Sequence, residues 1–239
     1  MTGKVAVIAG GSRGVGARLV AGYSGRGWAV VAAASPITPS QDPDVITVAG
    51  DIADPATADQ VVGAALERFG RIDTLVNNAG VFISKSFTGY TAVDFATAVG
   101  VNLAGFFWLT QRAISEMVTR YGGHVVNVSA SPAEVATPGA PAVLAALTKG
   151  ALLAATRSLA TEYAAYGIRV NAVSAAVIQT PVHRPESYDG FGGRLSPLGR
   201  AGQVSDVVDS VLFLSRRPTS PARSCISTAA RSRTAEALR

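Results

Sequence analysis

The segment Gly10-Gly11-Ser12-Arg13-Gly14-Val15-Gly16 constrains the fold more than any other stretch of this 239-residue chain. It follows Lys4–Ala9, an apolar run with strand character, and it opens a helical pattern over Val15–Arg26. Glycines at Gly-x-x-x-Gly-x-Gly spacing between a strand and a helix let the backbone turn tightly. They also leave the first helical amides free to receive a pyrophosphate. Gly10, Ser12, Arg13, Gly14, Val15 and Gly16 are therefore candidate contacts for a dinucleotide. A tight strand-to-helix turn without ligand is the alternative that the motif alone leaves open.

The downstream pattern alternates in the way a parallel sheet requires. Strands are expected at Ala29–Ala34, Val45–Ala49, Thr74–Asn77, Val125–Ser129 and Ile168–Ala172. Asp54 is placed to cap a helix over Pro55–Phe69, with proline in the tolerated first turn. A long helical region follows Thr91 towards Tyr121, Leu144–Tyr166 is helical, and Ser205–Leu214 forms the last helix. Pro181–Pro197, rich in Pro, Gly and Ser, reads as a loop or lid. The expected architecture is a single-domain, doubly wound parallel sheet over residues 1–215, followed by a basic tail over 216–239.

An acid closing the second strand would hold the ribose diol of NAD. This strand instead ends Ala33-Ala34-Ser35-Pro36, and no acid follows before Asp42. Arg13 and Ser35 are positioned to meet a 2′-phosphate, so NADP is expected over NAD.

Composition narrows the function classes. The net charge of +5 suggests a nucleic-acid partner only until it is located. Residues 1–215 hold 15 Lys and Arg against 15 Asp and Glu, whereas 216–239 hold six Arg against Glu236 alone. The body is neutral, and nucleic acid is not an expected partner. One cysteine, Cys225, excludes an internal disulfide and a cysteine-based metal cluster. His124 and His183 have no acidic or cysteine partners, so no metal site is expected. No apolar run approaches a membrane span and no leader precedes the first strand, which makes the cytoplasm the expected compartment.

Asn77-Asn78-Ala79-Gly80, closing the fourth strand, completes a set of motifs. With the glycine turn, Asp51-Ile52, Asn102, Lys149 and Arg169-Val170-Asn171, the chain resembles the short-chain dehydrogenase/reductase family from Lys4 to about Leu214. The resemblance implies a Rossmann-type sheet, a nicotinamide cofactor and carbonyl or alcohol chemistry in a homodimer or homotetramer. It implies that Asp51 and Ile52 hold the adenine and that Asn78, Ala79 and Gly80 line the cofactor. It further implies that Asn102 holds a water in a proton relay, Lys149 binds the nicotinamide ribose, and Thr180 contacts the carboxamide.

The pattern breaks at its reactive end. The family's tyrosine belongs four residues before Lys149, where Ala145 stands, and Ala130 takes the serine position after the fifth strand. Ser129 and Ser131 are the candidate replacements, with Ser131 favoured because the following loop is about two residues longer than usual. Ser174-Ala175-Ala176 replaces the family's Pro-Gly turn. His183, Arg184 and Tyr188 in the lid are either substrate contacts or solvated loop. The tail also departs: the family ends in a strand and Asp-Gly-Gly, whereas Pro218–Ala230 has no strand alternation. Read one base out of frame with GC-rich codons, that segment permits Asp-Phe-Thr-Gly-Glu-Val-Leu-His-Leu-Asp-Gly-Gly. A frameshift near Ser215–Pro218 and a natural, disordered basic tail are the two explanations.

The expected function is an NADP-preferring oxidoreductase on a carbonyl or secondary alcohol. Lys149, Asn102 and Ser131 form its catalytic set, and the proton donor is non-standard. The alternative is a cofactor-binding protein of this fold without redox activity, serving as a cyclase or isomerase, a partner subunit or a sensor.

Overall fold

Each strand of the central sheet is apolar on both faces, because helices cover both. The computed structural model describes residues 3–134, 141–180 and 201–216. Its sheet contains β1 (Val5–Ala9), β2 (Ala29–Ala34), β3 (Val45–Ala49), β4 (Thr74–Asn77), β5 (Gly123–Ala130) and β6 (Ile168–Ala175). All are parallel, in the order β3-β2-β1-β4-β5-β6. The helices are α1 (Gly14–Ser24), α2 (Pro55–Phe69), α3 (Ala92–Val99), α4 (Gly105–Thr119), α5 (Val143–Glu162) and α6 (Val204–Arg216). This is the doubly wound α/β sheet expected from the alternation.

Strand periodicity divides the core in two. Val7, Val31, Leu75, Val125 and Val170 face α2 and α4, meeting Val61, Leu109 and Met117. Ala6, Ile8, Val30, Val76, Val126 and Val173 point the other way, against Leu19 and Tyr23 of α1 and Val207 and Val211 of α6. Helix α2 begins where its sequence says. The Asp54 side chain accepts from the Ala56 amide at 2.9 Å, and Pro55 occupies the first turn.

Several boundaries differ from the sequence pattern. The helical region after Thr91 runs continuously from Ala92 to Thr119, but it carries one π-helical turn at Gly100–Ala104 between α3 and α4. Helix α1 stops at Ser24, where Gly25 follows, and α5 stops at Glu162 before a 3-10 turn at Ala164–Tyr166. Strand β6 continues to Ala175, paired with Ala130 of β5, because alanine keeps the ladder amide that proline would lack. A two-stranded pair unseen in the sequence joins β7 (Ile178–Gln179) to β8 (Gly202–Gln203).

Two helical stretches, Ala92–Thr119 and Val143–Glu162, are long and apolar enough to cross a membrane by length and composition, which corrects the expectation that none approaches that length. In this fold they carry α4 and α5 and pack against the sheet. The lid Pro181–Pro197 with His183, Arg184 and Tyr188, the loop 135–140 and the tail from 217, with Cys225 and the frameshift question, lie outside the described residues.

Replacing the α2 cap, Asp54→Ala, should lower unfolding stability by about 1 kcal/mol. The urea midpoint should fall with no change in the slope of the transition, and an unchanged midpoint would remove the cap from the account.

Candidate active site

Reversal of strand order between β1 and β4 leaves a crevice at the carboxyl ends of the strands. The glycine turn forms its floor. Gly10 (φ 75°) lies so close to β4 that a Cβ there would stand 2.9 Å from the Ala79 Cα, and one on Gly16 would stand 1.8 Å from the Gly10 carbonyl oxygen. Only hydrogen fits at either position. The Asn78 side-chain amide donates to the carbonyls of Ala9 (3.3 Å) and Gly10 (3.1 Å), fastening the end of β4 to the turn.

The start of α1 is open to an anion. Arg13 is the N-cap, its side chain makes no capping bond, and the first turn holds no acid, so the leading amides are not spent on a carboxylate. Ser12 and Arg13 are exposed, whereas Val15 is half-buried against the sheet. Across the crevice, the Thr180 methyl lies 3.8 Å from where a Gly14 side chain would begin.

At the tip of β2, Ser35 is exposed. The first acid beyond it, Asp42, takes a 2.6 Å hydrogen bond from the Ser24 hydroxyl and a 3.0 Å bond from the Asp44 amide. Those bonds hold its carboxyl below the usual carboxylate range. After β3, the exposed Asp51 accepts from the Ala53 amide at 3.0 Å. Ile52 is half-buried and leans on Gly105, where a Cβ would come within 2.9 Å of it.

Lys149 and Asn102 meet above β4 and β5. A Cβ on Gly80 would stand 2.6 Å from Lys149 Nζ and 3.1 Å from Asn102 Oδ1, so the bare glycine makes room for both. Asn102 sits in the π turn, a feature common at functional sites. Its Oδ1 accepts from the Val81 amide at 2.9 Å, and its Nδ2 donates to the Val81 carbonyl (3.1 Å) and Thr148 Oγ1 (3.0 Å). Thr148 Oγ1 in turn donates to the Leu144 carbonyl at 2.9 Å. Sequence reasoning missed Thr148; its only signal was a hydroxyl beside Lys149 in the apolar first half of the helix.

Lys149 Nζ donates to the Val128 carbonyl at 3.1 Å and has no carboxylate partner among the described residues. Burial lowers its pKa from 10.5 to about 8, since an apolar surrounding disfavours the ammonium. One turn earlier on α5, Ala145 is buried.

The two serine candidates separate. Ser129 is buried and donates to the Lys149 carbonyl at 3.0 Å, so its hydroxyl ties β5 to α5. Ser131 opens the 3-10 turn that follows β5, half-buried and with no side-chain hydrogen bond among the described residues. His124 lies at the opposite end of β5, buried against Asn171 and Ser215, and no cluster of metal-ligating side chains occurs among the described residues.

A family model described as enoyl-(acyl carrier protein) reductase matches residues 6–227. The oxidoreductase UcpA of Escherichia coli (strain K12) is 35% identical, over 90% of this chain and 88% of its own length. The crystal structure of a 3-ketoacyl-(acyl-carrier-protein) reductase from Brucella melitensis complexed with NADH is 26% identical. It superposes with a TM-score of 0.85 over 95% of this chain and 97% of its own. A gluconate 5-dehydrogenase from Burkholderia cenocepacia in complex with NADP and tartrate is also 26% identical, with a TM-score of 0.77 over 90% and 88% of the two chains.

The buried amine has a measurable thermodynamic signature. The folded pKa of Lys149 lies below its unfolded value, so between about 8 and 10.5 the unfolded chain binds the additional proton. Stability therefore rises with pH across that window, and the ammonium costs the fold on the order of 3 kcal/mol near neutrality. In Lys149→Met that titration is absent. The unfolding free energy of the variant minus that of the wild type should drop by about 3 kcal/mol between about pH 7 and pH 10.5; a flat difference would contradict the burial.

Proposed function

The chain belongs to the short-chain dehydrogenase/reductase family, and from that premise we propose that it is a nicotinamide-dependent oxidoreductase acting on a small carbonyl compound or secondary alcohol. The observation that carries this reading is the convergence, at one crevice, of an unspent helix start, the Asn78-fastened glycine turn and the buried Lys149–Asn102 pair. Gly10, Ser12, Gly14, Val15 and Gly16 would cradle the pyrophosphate. Asp51 and Ile52 would hold the adenine, and Asn78, Ala79, Gly80 and Thr180 would line the nicotinamide half. Bound there, the cofactor supplies or accepts hydride.

NADP is favoured over NAD because no carboxylate is free at the tip of β2: Asp42 is held by Ser24, while Arg13 and Ser35 are exposed beside the turn. Of the two solved structures named above, the Brucella melitensis reductase is complexed with NADH and the Burkholderia cenocepacia dehydrogenase with NADP. NADPH should quench tryptophan emission saturably and bind more tightly than NADH. Arg13→Ala should cost NADPH about tenfold and leave NADH unchanged. Equal losses for both cofactors would move the 2′-phosphate away from Arg13.

With alanine at 145, the proton would come from Lys149, either directly or through water held near Asn102, and Ser131 would polarise the substrate oxygen. A positioned acid contributes about 10²–10⁴ in rate, so its loss slows ketone reduction without abolishing hydride transfer. The protonated amine is the competent form in reduction, so turnover should fall as pH rises through about 8. Lys149→Met should lose both the activity and that pH limb while keeping NADPH. Ala145→Tyr should raise turnover. NADPH binding with no oxidation across ketones and quinones would support the second reading, a non-redox member of the fold, which Ala130 and Ala145 favour. The exposed Phe107 of α4 and Val143 and Leu147 of α5 support a homo-oligomer, and light scattering reads its size.

A further inference from the structure

A cavity of about 280 Å³ lies at the amino end of the sheet, away from the glycine turn. Its walls are Trp28, Tyr23 and Leu212, and its rim carries Lys4, Arg26 and Arg216. Those three cations have no carboxylate partner among the described residues. The Lys4 ammonium sits 5.2 Å above the Trp28 ring, and Arg26 donates to the Gly22 carbonyl at 2.6 Å, so two of the heads are held beside the opening.

Nearby, Arg169 is half-buried and donates to the Leu214 carbonyl at 3.0 Å, again without a carboxylate among the described residues. The helices α1 and α6 end here, and their carboxyl termini contribute about half a negative charge each. Four guanidinium or ammonium groups stand against them; Asp42, bonded to Ser24, is a further negative charge at this end and Asp73 is neutralised by Arg71, so a positive excess of about two remains. The inner hydroxyls do not add to it. Tyr23 and Ser215 share a 2.6 Å hydrogen bond, and Ser215 also donates to the Val211 carbonyl at 3.0 Å. Burial pushes the Tyr23 pKa up to about 12, which keeps that wall neutral.

We propose that this cavity binds a small organic anion, its carboxylate or phosphate among Lys4, Arg26 and Arg216 and its flat apolar body against Trp28 and Leu212. The volume lies just under the range of drug-sized pockets and is far too small for a dinucleotide. The ligand is thus distinct from the proposed cofactor, and the proposal does not depend on the redox reading.

Calorimetric titration of the full chain with benzoate, phenyl phosphate and neutral benzyl alcohol tests this. At least one anion should bind saturably while benzyl alcohol does not, and the stronger anion identifies the head group. The double variant Arg26→Ala/Arg216→Ala should weaken that anion about tenfold or more, with NADPH affinity unchanged. Lys4→Gln, a single exposed change, should weaken it in the same direction and guards against a misfolded double variant. Absence of saturable heat from both anions up to about 10 mM would overturn the site. So would benzyl alcohol binding as tightly as the anions, or wild-type affinity in both variants.

Discussion

The close approach of β1 and β4 at their carboxyl ends is the contact on which the rest of the molecule depends. Strand order reverses between them, so the helices that follow leave on opposite faces and a crevice opens at that point alone. Asn78 closes its floor by donating to two successive carbonyls of the glycine turn. The fit has no slack: a single methyl on Gly16 would overlap the Gly10 carbonyl, and one on Gly10 would meet the Ala79 backbone. Through this contact the start of α1, the tip of β4 and, by way of Gly80, the Lys149 amine share one frame.

Features governed by neighbours in sequence were legible, and those governed by neighbours in space were not. Asp54 and Pro55 define the start of α2 through local hydrogen bonding and φ, so the helix begins at the expected residue. The strands of the core declare themselves by apolar runs, because both faces are covered. The π turn at Gly100–Ala104 left no such trace: its residues keep helical spacing on either side, and one additional residue per turn does not disturb a hydrophobic pattern visibly. Ser129 shows the same limit. By sequence it stood beside Ser131 as a candidate reactive serine, and only its 3.0 Å bond to the Lys149 carbonyl identifies it as a tie between β5 and α5. Thr148 was overlooked for the converse reason, that its partner is 46 residues away.

Lys149 and Asn102 illustrate two ways of burying polarity. Asn102 spends its amide on three bonds, to both backbone groups of Val81 and to Thr148, so its burial is compensated and its orientation is determined. Lys149 has one carbonyl for three N–H donors, and no carboxylate among the described residues repays its desolvation. A fold selected only for stability would place methionine or leucine there. Retaining an under-satisfied cation beside a fully satisfied amide is the pattern of a group held for something that arrives later, and a polar, negatively charged ligand in the crevice would complete its shell.

The two ends of the sheet pose opposite electrostatic problems, and the chain solves each with different material. In a βα unit every helix starts near the carboxyl end of one strand and finishes near the amino end of the next. Positive helix termini therefore collect at one end of the sheet and negative ones at the other. At the crevice the backbone alone can receive an anion, which is why the glycine turn needs no lysine and α1 carries no acid in its first turn. At the amino end the peptide dipoles of α1 and α6 repel anions, and attraction has to come from side chains strong enough to outweigh them. Lys4, Arg26, Arg169 and Arg216 are four such charges where about one would neutralise the helix ends. Capping of the dipoles and the charge of Asp42 beside Ser24 therefore account for part of that cluster, and the remainder is what an anionic ligand would use.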